Sequence, residues 1–313
     1  MATLETMFGA DRTETFLGLP RCRDLTRLDA AIAFLGADFA TPYASVGPYC
    51  AGAPAAIRAA SAAYAANLAH VNFDLGGPVL PPGVAAVDAG DLKQDEADFA
   101  SNRARIQGAV TTVLARRGVP ILIGGDDSVQ IPMLAAFEAR GRPMTILQID
   151  AHIDWRDEVG GERMGLSSTM RRASEMAHVA RIVQVGARGI GSARQGDLDD
   201  ARRAGVEFVP AGQVARSGVG RAVDLIPEGA EVVICFDLDA LDPAIMPAVI
   251  GRTAGGLGYW QVLELIGGVA ERARIAGLGF VEFMPERDIE GQGALLAAQL
   301  LAAITGIIAR QGG

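Results

Sequence analysis

Acidic residues gather in three short segments of this chain: GGDDS at residues 124–128, DAHID at 150–154 and DLDALDP at 237–243. A further acid, Glu282, follows an apolar run. An extended segment sends alternate side chains to opposite faces, so Asp150, His152 and Asp154 should project to one side, and Asp237 and Asp239 likewise. With Asp127 these make five carboxylates and an imidazole that could converge at one rim. Carboxylates that close repel one another strongly unless a cation neutralises them, and divalent metals are the usual answer. Oxygen-rich ligation with one imidazole suits Mn²⁺, with Ni²⁺, Fe²⁺ or Mg²⁺ less favoured. Each cluster alone has a duller explanation. A D-x-D pair usually caps a helix, a His beside an Asp is usually just hydrogen-bonded, and GGD marks a tight turn. Their conjunction at strand ends is what points to a metal site.

Such a site needs strand ends, and the apolar pattern supplies them. Short apolar runs at 31–36, 84–88, 119–123, 144–149, 181–185, 206–209, 231–236 and 275–281 predict strands. Most are continuous rather than alternating, as in parallel strands covered on both faces. Helical patterns fall between them at 54–66, 97–117, 129–140, 193–204, 259–274 and 293–310. This alternation predicts α/β architecture with a parallel sheet, open or closed into a barrel. Either way ligands bind at the C-terminal strand ends. Residues 1–29 read as an irregular N-terminal arm and 30–313 as a single domain.

Composition narrows the function classes. Formal net charge is −9 and no Lys/Arg run occurs, so no nucleic-acid footprint is present and cationic ligands are mildly favoured. Cys22, Cys50 and Cys235 are few, odd in number and lack CxxC spacing. That suits free thiols in a reducing cytoplasm, not a disulfide scaffold or a Cys-based zinc site. The N-terminus lacks the apolar core of a signal peptide. The stretch 294–309 falls short of the ~20 residues that span a bilayer, so a buried C-terminal helix is expected and no membrane partner.

In order and spacing, GGDDS, DAHID and FDLDALDP resemble the three signature segments of the arginase/agmatinase (ureohydrolase) family. GADFATPYASVGPYCAGAPAAIR at 36–58 is similar to its N-terminal segment, and VDAGD at 87–91 to its D-x-G-D strand. GGL at 255–257 and GFVEFMP at 279–285 resemble its last two loops, so the resemblance covers about residues 30 to 310. It implies a three-layer α/β/α fold with an eight-stranded, mainly parallel sheet, and a trimeric or hexameric homo-oligomer. It also implies two Mn²⁺ ions bridged by a hydroxide. By motif, Asp150 and Asp237 would bridge the ions, and Asp154 would bind one and orient the hydroxide as a catalytic residue. His152 and Asp239 would bind the other ion, and Glu282 would receive the substrate guanidinium. The implied activity is hydrolysis of a small cationic guanidino compound, agmatine or a relative used in polyamine metabolism, to urea and an amine. A guanidino acid or a formimino compound is the next candidate.

Two departures from the family pattern stand out. The family reads GGDHS where this chain has Asp127, and it places a histidine at its substrate site where Ser167 stands here. The histidines of this chain are His70, His152 and His178. Asp127 is therefore the expected sixth metal ligand and Ser167 a substrate contact. Loss of two histidines also leaves open a catalytically silent subunit. Read without the family, the same Asp/His set would suit a metal phosphoesterase, because fold alone does not fix function.

Overall fold

The computed structural model describes residues 14–311. Its sheet has eight strands: β1 Ile32–Ala37, β2 Ala86–Asp91, β3 Val119–Gly124, β4 Met144–Ile149, β5 Val179–Val185, β6 Glu207–Val209, β7 Glu231–Asp237 and β8 Arg274–Val281. Their order is β2-β1-β3-β8-β7-β4-β5-β6 and every pairing is parallel. Parallel neighbours need crossover connections, and helices supply them. In chain order these are α1 Ala53–Ser61, α2 Phe99–Ala115, α3 Gln130–Ala136, α4 Thr169–Ser174, α5 Gln195–Arg203, α6 Ala211–Ser217, α7 Gly220–Asp224, α8 Tyr259–Arg272 and α9 Gln292–Ala309.

The continuous apolar runs explain the layering. Strands β1, β3, β4 and β7 are buried along their whole length. Their alternate residues feed two separate cores. Ile32, Phe34, Ile121, Leu147 and Ile234 pack on one face with α1 and with α6 to α9. Ala33, Leu35, Leu122, Ile146 and Cys235 pack on the other with α2 to α5. This is the α/β/α sandwich with an open sheet. Each fully buried Ile, Leu or Phe contributes roughly 1.5–3 kcal/mol, so a sheet covered on both sides is the stable arrangement for such strands. By length and composition α9 could cross a membrane, yet 72% of it is buried in the fold, with Leu300, Leu301 and Ile304 inaccessible.

All eight expected runs are strands, but two expected helices are interrupted. The 129–140 pattern is a 3₁₀ turn at Asp127–Val129, then α3, then a second 3₁₀ turn at Phe137–Arg140. The 54–66 pattern is α1 followed by a 3₁₀ segment, Ala62–Asn67. At that junction Ser61 Oγ donates to the Arg58 carbonyl and accepts from Leu17 N, which competes with regular helical bonding. Of the expected N-terminal arm, residues 1–13 lie outside the described residues. The rest is irregular but packed: Phe16 is buried with its ring 4.7 Å from that of Phe34.

One buried ion pair ties three elements together. Arg58 of α1 donates from Nε and Nη2 to the Asp88 carboxylate of β2 at 2.7 and 3.1 Å, and from Nη1 to Asp91. Asp88 also accepts from the backbone N of Phe16 at 2.7 Å.

Candidate metal centre

The clustered acids come from four neighbouring strands of the sheet, β3, β8, β7 and β4, all at their C-terminal ends. Asp127 follows β3, DAHID follows β4, Asp237 ends β7 with Asp239 in the next turn, and Glu282 follows β8. Asp127, His152, Asp154, Asp237, Asp239 and Glu282 line one cavity of about 220 Å³. Asp150 lies beneath it, 2% exposed.

The extended reading of DAHID is corrected. Strand β4 stops at Ile149, and Asp154 has φ of 46°, in the left-handed region. Hydrogen bonds, not strand alternation, bring the side chains together. His152 N donates to Asp150 Oδ1 at 2.6 Å, and Ala151 N to Asp239 Oδ1 at 3.1 Å. Gln148 Nε2 donates to both Asp150 Oδ2 and Asp154 Oδ2, at 2.7 and 2.6 Å. Gln148 is itself held through Oε1 by Gln184 of the adjacent strand.

Asp150, His152 and Asp239 present ligand atoms within 4.8 Å of one another, a spacing that one ion can satisfy. His152 Nδ1 lies 3.0 Å from Asp239 Oδ2 and 3.4 Å from Asp150 Oδ1. Gly251 closes over this trio: a Cβ there would sit 3.2 Å from His152 Cε1 and 3.5 Å from Asp239 Oδ2. The loop is stapled down by Arg188, which donates to the carbonyls of Asp239, Ala240, Leu241 and Thr253.

Asp127 is freed by its neighbour. Asp126, not Asp127, caps the 3₁₀ turn, accepting from Ser128 N at 3.0 Å. Asp127 Oδ1 takes Gln130 Nε2, while the buried Oδ2 has no hydrogen-bond partner. The second glycine of GGD has a steric reason, because a Cβ on Gly125 would lie 1.7 Å from the Asp38 carbonyl oxygen.

Electrostatics make the cluster costly as it stands. Burial and the charge of Asp150 push Asp127 up to about 8. Burial and neighbouring carboxylates push Asp154, Asp237 and Glu282 well above the usual range, and Asp239 up as well. Although burial opposes a charged ring, the bonds from Asp150 and Asp239 hold His152 up at about 11. His152 in turn keeps Asp150 low against its own burial. Convergent acids, an unpartnered carboxylate oxygen and one imidazole fit divalent cations.

Glu282 stands apart from the trio with its own donors. Tyr49 Oη lies 2.7 Å from both carboxylate oxygens, and Asp127 N donates to Oε1 at 2.8 Å. Glu282 also has φ of 68°. Ser167 lines the cavity, its N donating to Tyr43 Oη at 3.2 Å. Sequence reasoning missed Tyr49, Gln130, Gln148 and Arg156. Arg156 lines the cavity and pairs through Nη1 with Asp197 at 2.8 Å. Of these only Arg156 carried a signal, as a basic residue two positions beyond DAHID.

Comparison with known proteins agrees with this geometry. Residues 30–306 match the arginase family. The mitochondrial guanidino acid hydrolase of Homo sapiens is 31% identical over 219 residues, 68% of this chain and 62% of that protein. The mitochondrial agmatinase of Gallus gallus is 30% identical over 296 residues, covering 92% and 83% of the two chains. Proclavaminate amidino hydrolase from Streptomyces clavuligerus has the same fold, with TM-score 0.84, 28% identity, and 96% and 99% of the chains covered. With several curated relatives the match spans less than two thirds of their own length, 55% to 62%.

Proposed function

This chain belongs to the arginase family, and from that premise we propose that it hydrolyses a guanidino compound to urea and an amine at a two-metal centre. The observation that carries the reading is the convergence of Asp150, His152 and Asp239 at a cavity that is also lined by the separately held Glu282. Asp127, Asp154 and Asp237 would complete the donor set that holds the ions together with Asp150, His152 and Asp239. When bound, divalent ions, Mn²⁺ by the oxygen-rich donor set, supply Lewis acidity that brings the pKa of water toward neutrality.

The protein's own groups do the rest. Glu282 receives the substrate guanidinium through charge-assisted hydrogen bonds, and Tyr49 fixes its carboxylate for that contact. Guanidinium and metal charges favour the ionised form of Glu282 that this needs. Asp154, aimed by Gln148, takes the proton of the attacking water and delivers it to the leaving amine nitrogen. Water adds its oxygen to the guanidinium carbon, the C–N bond to the tail breaks, and urea and a primary amine result. Ser167 contributes a small hydroxyl at the wall and no proton of its own near neutral pH.

The tail is read from Arg156. Its N–H groups can bind a substrate carboxylate, while Asp197, its ion-pair partner in the same wall, balances its charge. Those donors support a guanidino acid as the substrate tail, in line with the human relative's name. Urea release from 4-guanidinobutanoate, agmatine and arginine, after loading with Mn²⁺ or Ni²⁺, tests both levels. Absence of urea from every compound with metal fully bound would overturn the activity. Preference for agmatine, unchanged in Arg156→Gln, would overturn the tail assignment.

A further inference from the structure

The opposite rim of the sheet carries a second charged cluster, of the other sign. The same four central strands, β3, β8, β7 and β4, begin there. Arg117 lies two residues before β3, Arg274 opens β8, Glu231 opens β7 and Arg142 lies two residues before β4. Arg140, in the preceding 3₁₀ turn, joins them. Glu231 is 6% exposed, and three arginines converge on its Oε1: Arg140 Nη2 at 2.8 Å, Arg142 Nη2 at 2.5 Å and Arg274 Nη1 at 3.5 Å. Arg117 makes no ion pair among the described residues and shares the same groove of about 660 Å³.

One carboxylate cannot balance four guanidinium groups, and no acid is among the described residues that line this groove. Like charges drawn together at one rim of a chain with net charge −9 favour a bound anion. The guanidinium fork matches the oxygens of phosphate in particular, with several N–H donors per group. Glu231 holds Arg140 through Nε and Nη2, and Arg142 and Arg274 through one nitrogen each, and all three arginines line the groove. From this geometry we propose an anion-binding site for a polyphosphate-type ligand at the N-terminal rim of the sheet. It is distinct from the cavity that holds the acids, at the other end of the same strands.

Calorimetry of inorganic tripolyphosphate with the full chain tests this, after dialysis to remove metal that the probe would chelate. One tripolyphosphate per chain is expected, with affinity falling as salt rises. Arg142→Gln and Arg274→Gln should each weaken binding about tenfold, the scale of one lost charge-assisted contact. Both side chains are about half exposed, at 50% and 49%, so these substitutions leave the core intact. The same titration on Asp237→Asn should be unchanged. Unsaturable binding, binding indifferent to both arginine substitutions, or binding lost in Asp237→Asn would overturn the site. So would light scattering showing that Arg142→Glu dissociates an oligomer, because the groove would then be covered by a second copy of the chain.

Discussion

Glu282 is oriented before any substrate arrives, by Tyr49 Oη and the backbone N of Asp127. Replacing it with Gln keeps the shape but removes the charge that a guanidinium needs. A charge-assisted hydrogen bond contributes roughly 1.5–3 kcal/mol, so kcat/KM should fall by about one to two orders of magnitude. Elemental analysis should show metal content unchanged; loss of metal, or full activity, would count against the assignment. The trio makes a different prediction. His152, held up at about 11, and Asp127, at about 8, are both protonated near neutral pH in the metal-free chain. Metal ligation needs their deprotonated forms, so uptake must expel protons. Titrations with Mn²⁺ in buffers of different ionisation enthalpy should reveal that release. Binding heats independent of buffer would refute it.

At the scale of elements, the Arg58–Asp88 pair joins α1 to β2 and, through Phe16 N, to the N-terminal stretch. Removing one partner of a buried pair leaves the other charge uncompensated, at a cost of about 3–5 kcal/mol. Arg58→Met should therefore lower unfolding stability by that amount in denaturant melts, and a change under 1 kcal/mol would contradict the buried-pair argument. The elements themselves were legible because parallel strands covered on both faces advertise themselves as unbroken apolar runs. The acids were legible because three Asp-rich segments, each with a duller use alone, fall together at strand ends. What escaped was the support. Gln148 and Gln130 act through neutral amides that no motif announces, and Tyr49 reaches Glu282 across 233 positions of sequence. Reading DAHID as extended placed the right residues together by the wrong route, because nothing in the segment predicts the left-handed backbone at Asp154. The short helices α4, α6 and α7 carry too few turns for their periodicity to show.

For the whole molecule, the acid cluster makes stability depend on pH and metal together. Asp127 rises from 3.8 to about 8 in the fold, and Asp154, Asp237 and Glu282 move the same way. A raised carboxylate favours the fold while protonated, so its contribution is full below 3.8 and lost as pH climbs through about 8. His152, also raised, acts in the same sense. The metal-free chain should thus melt at lower temperature at pH ~9 than at pH ~5, and divalent metal should restore most at the alkaline end. A metal-free melting temperature that is flat or rising over that range would sink the idea. The left-handed backbone at Asp154 and Glu282 adds to this burden, because non-glycine residues there are strained by roughly 1–2 kcal/mol. The two side chains proposed to handle the proton and the substrate thus sit where the fold would be more comfortable with something else. A mutant library sorted on thermostability alone, with metal withheld, would then drift first toward Asn or Gly at these positions. Its most robust members would be the ones that had forgotten the chemistry.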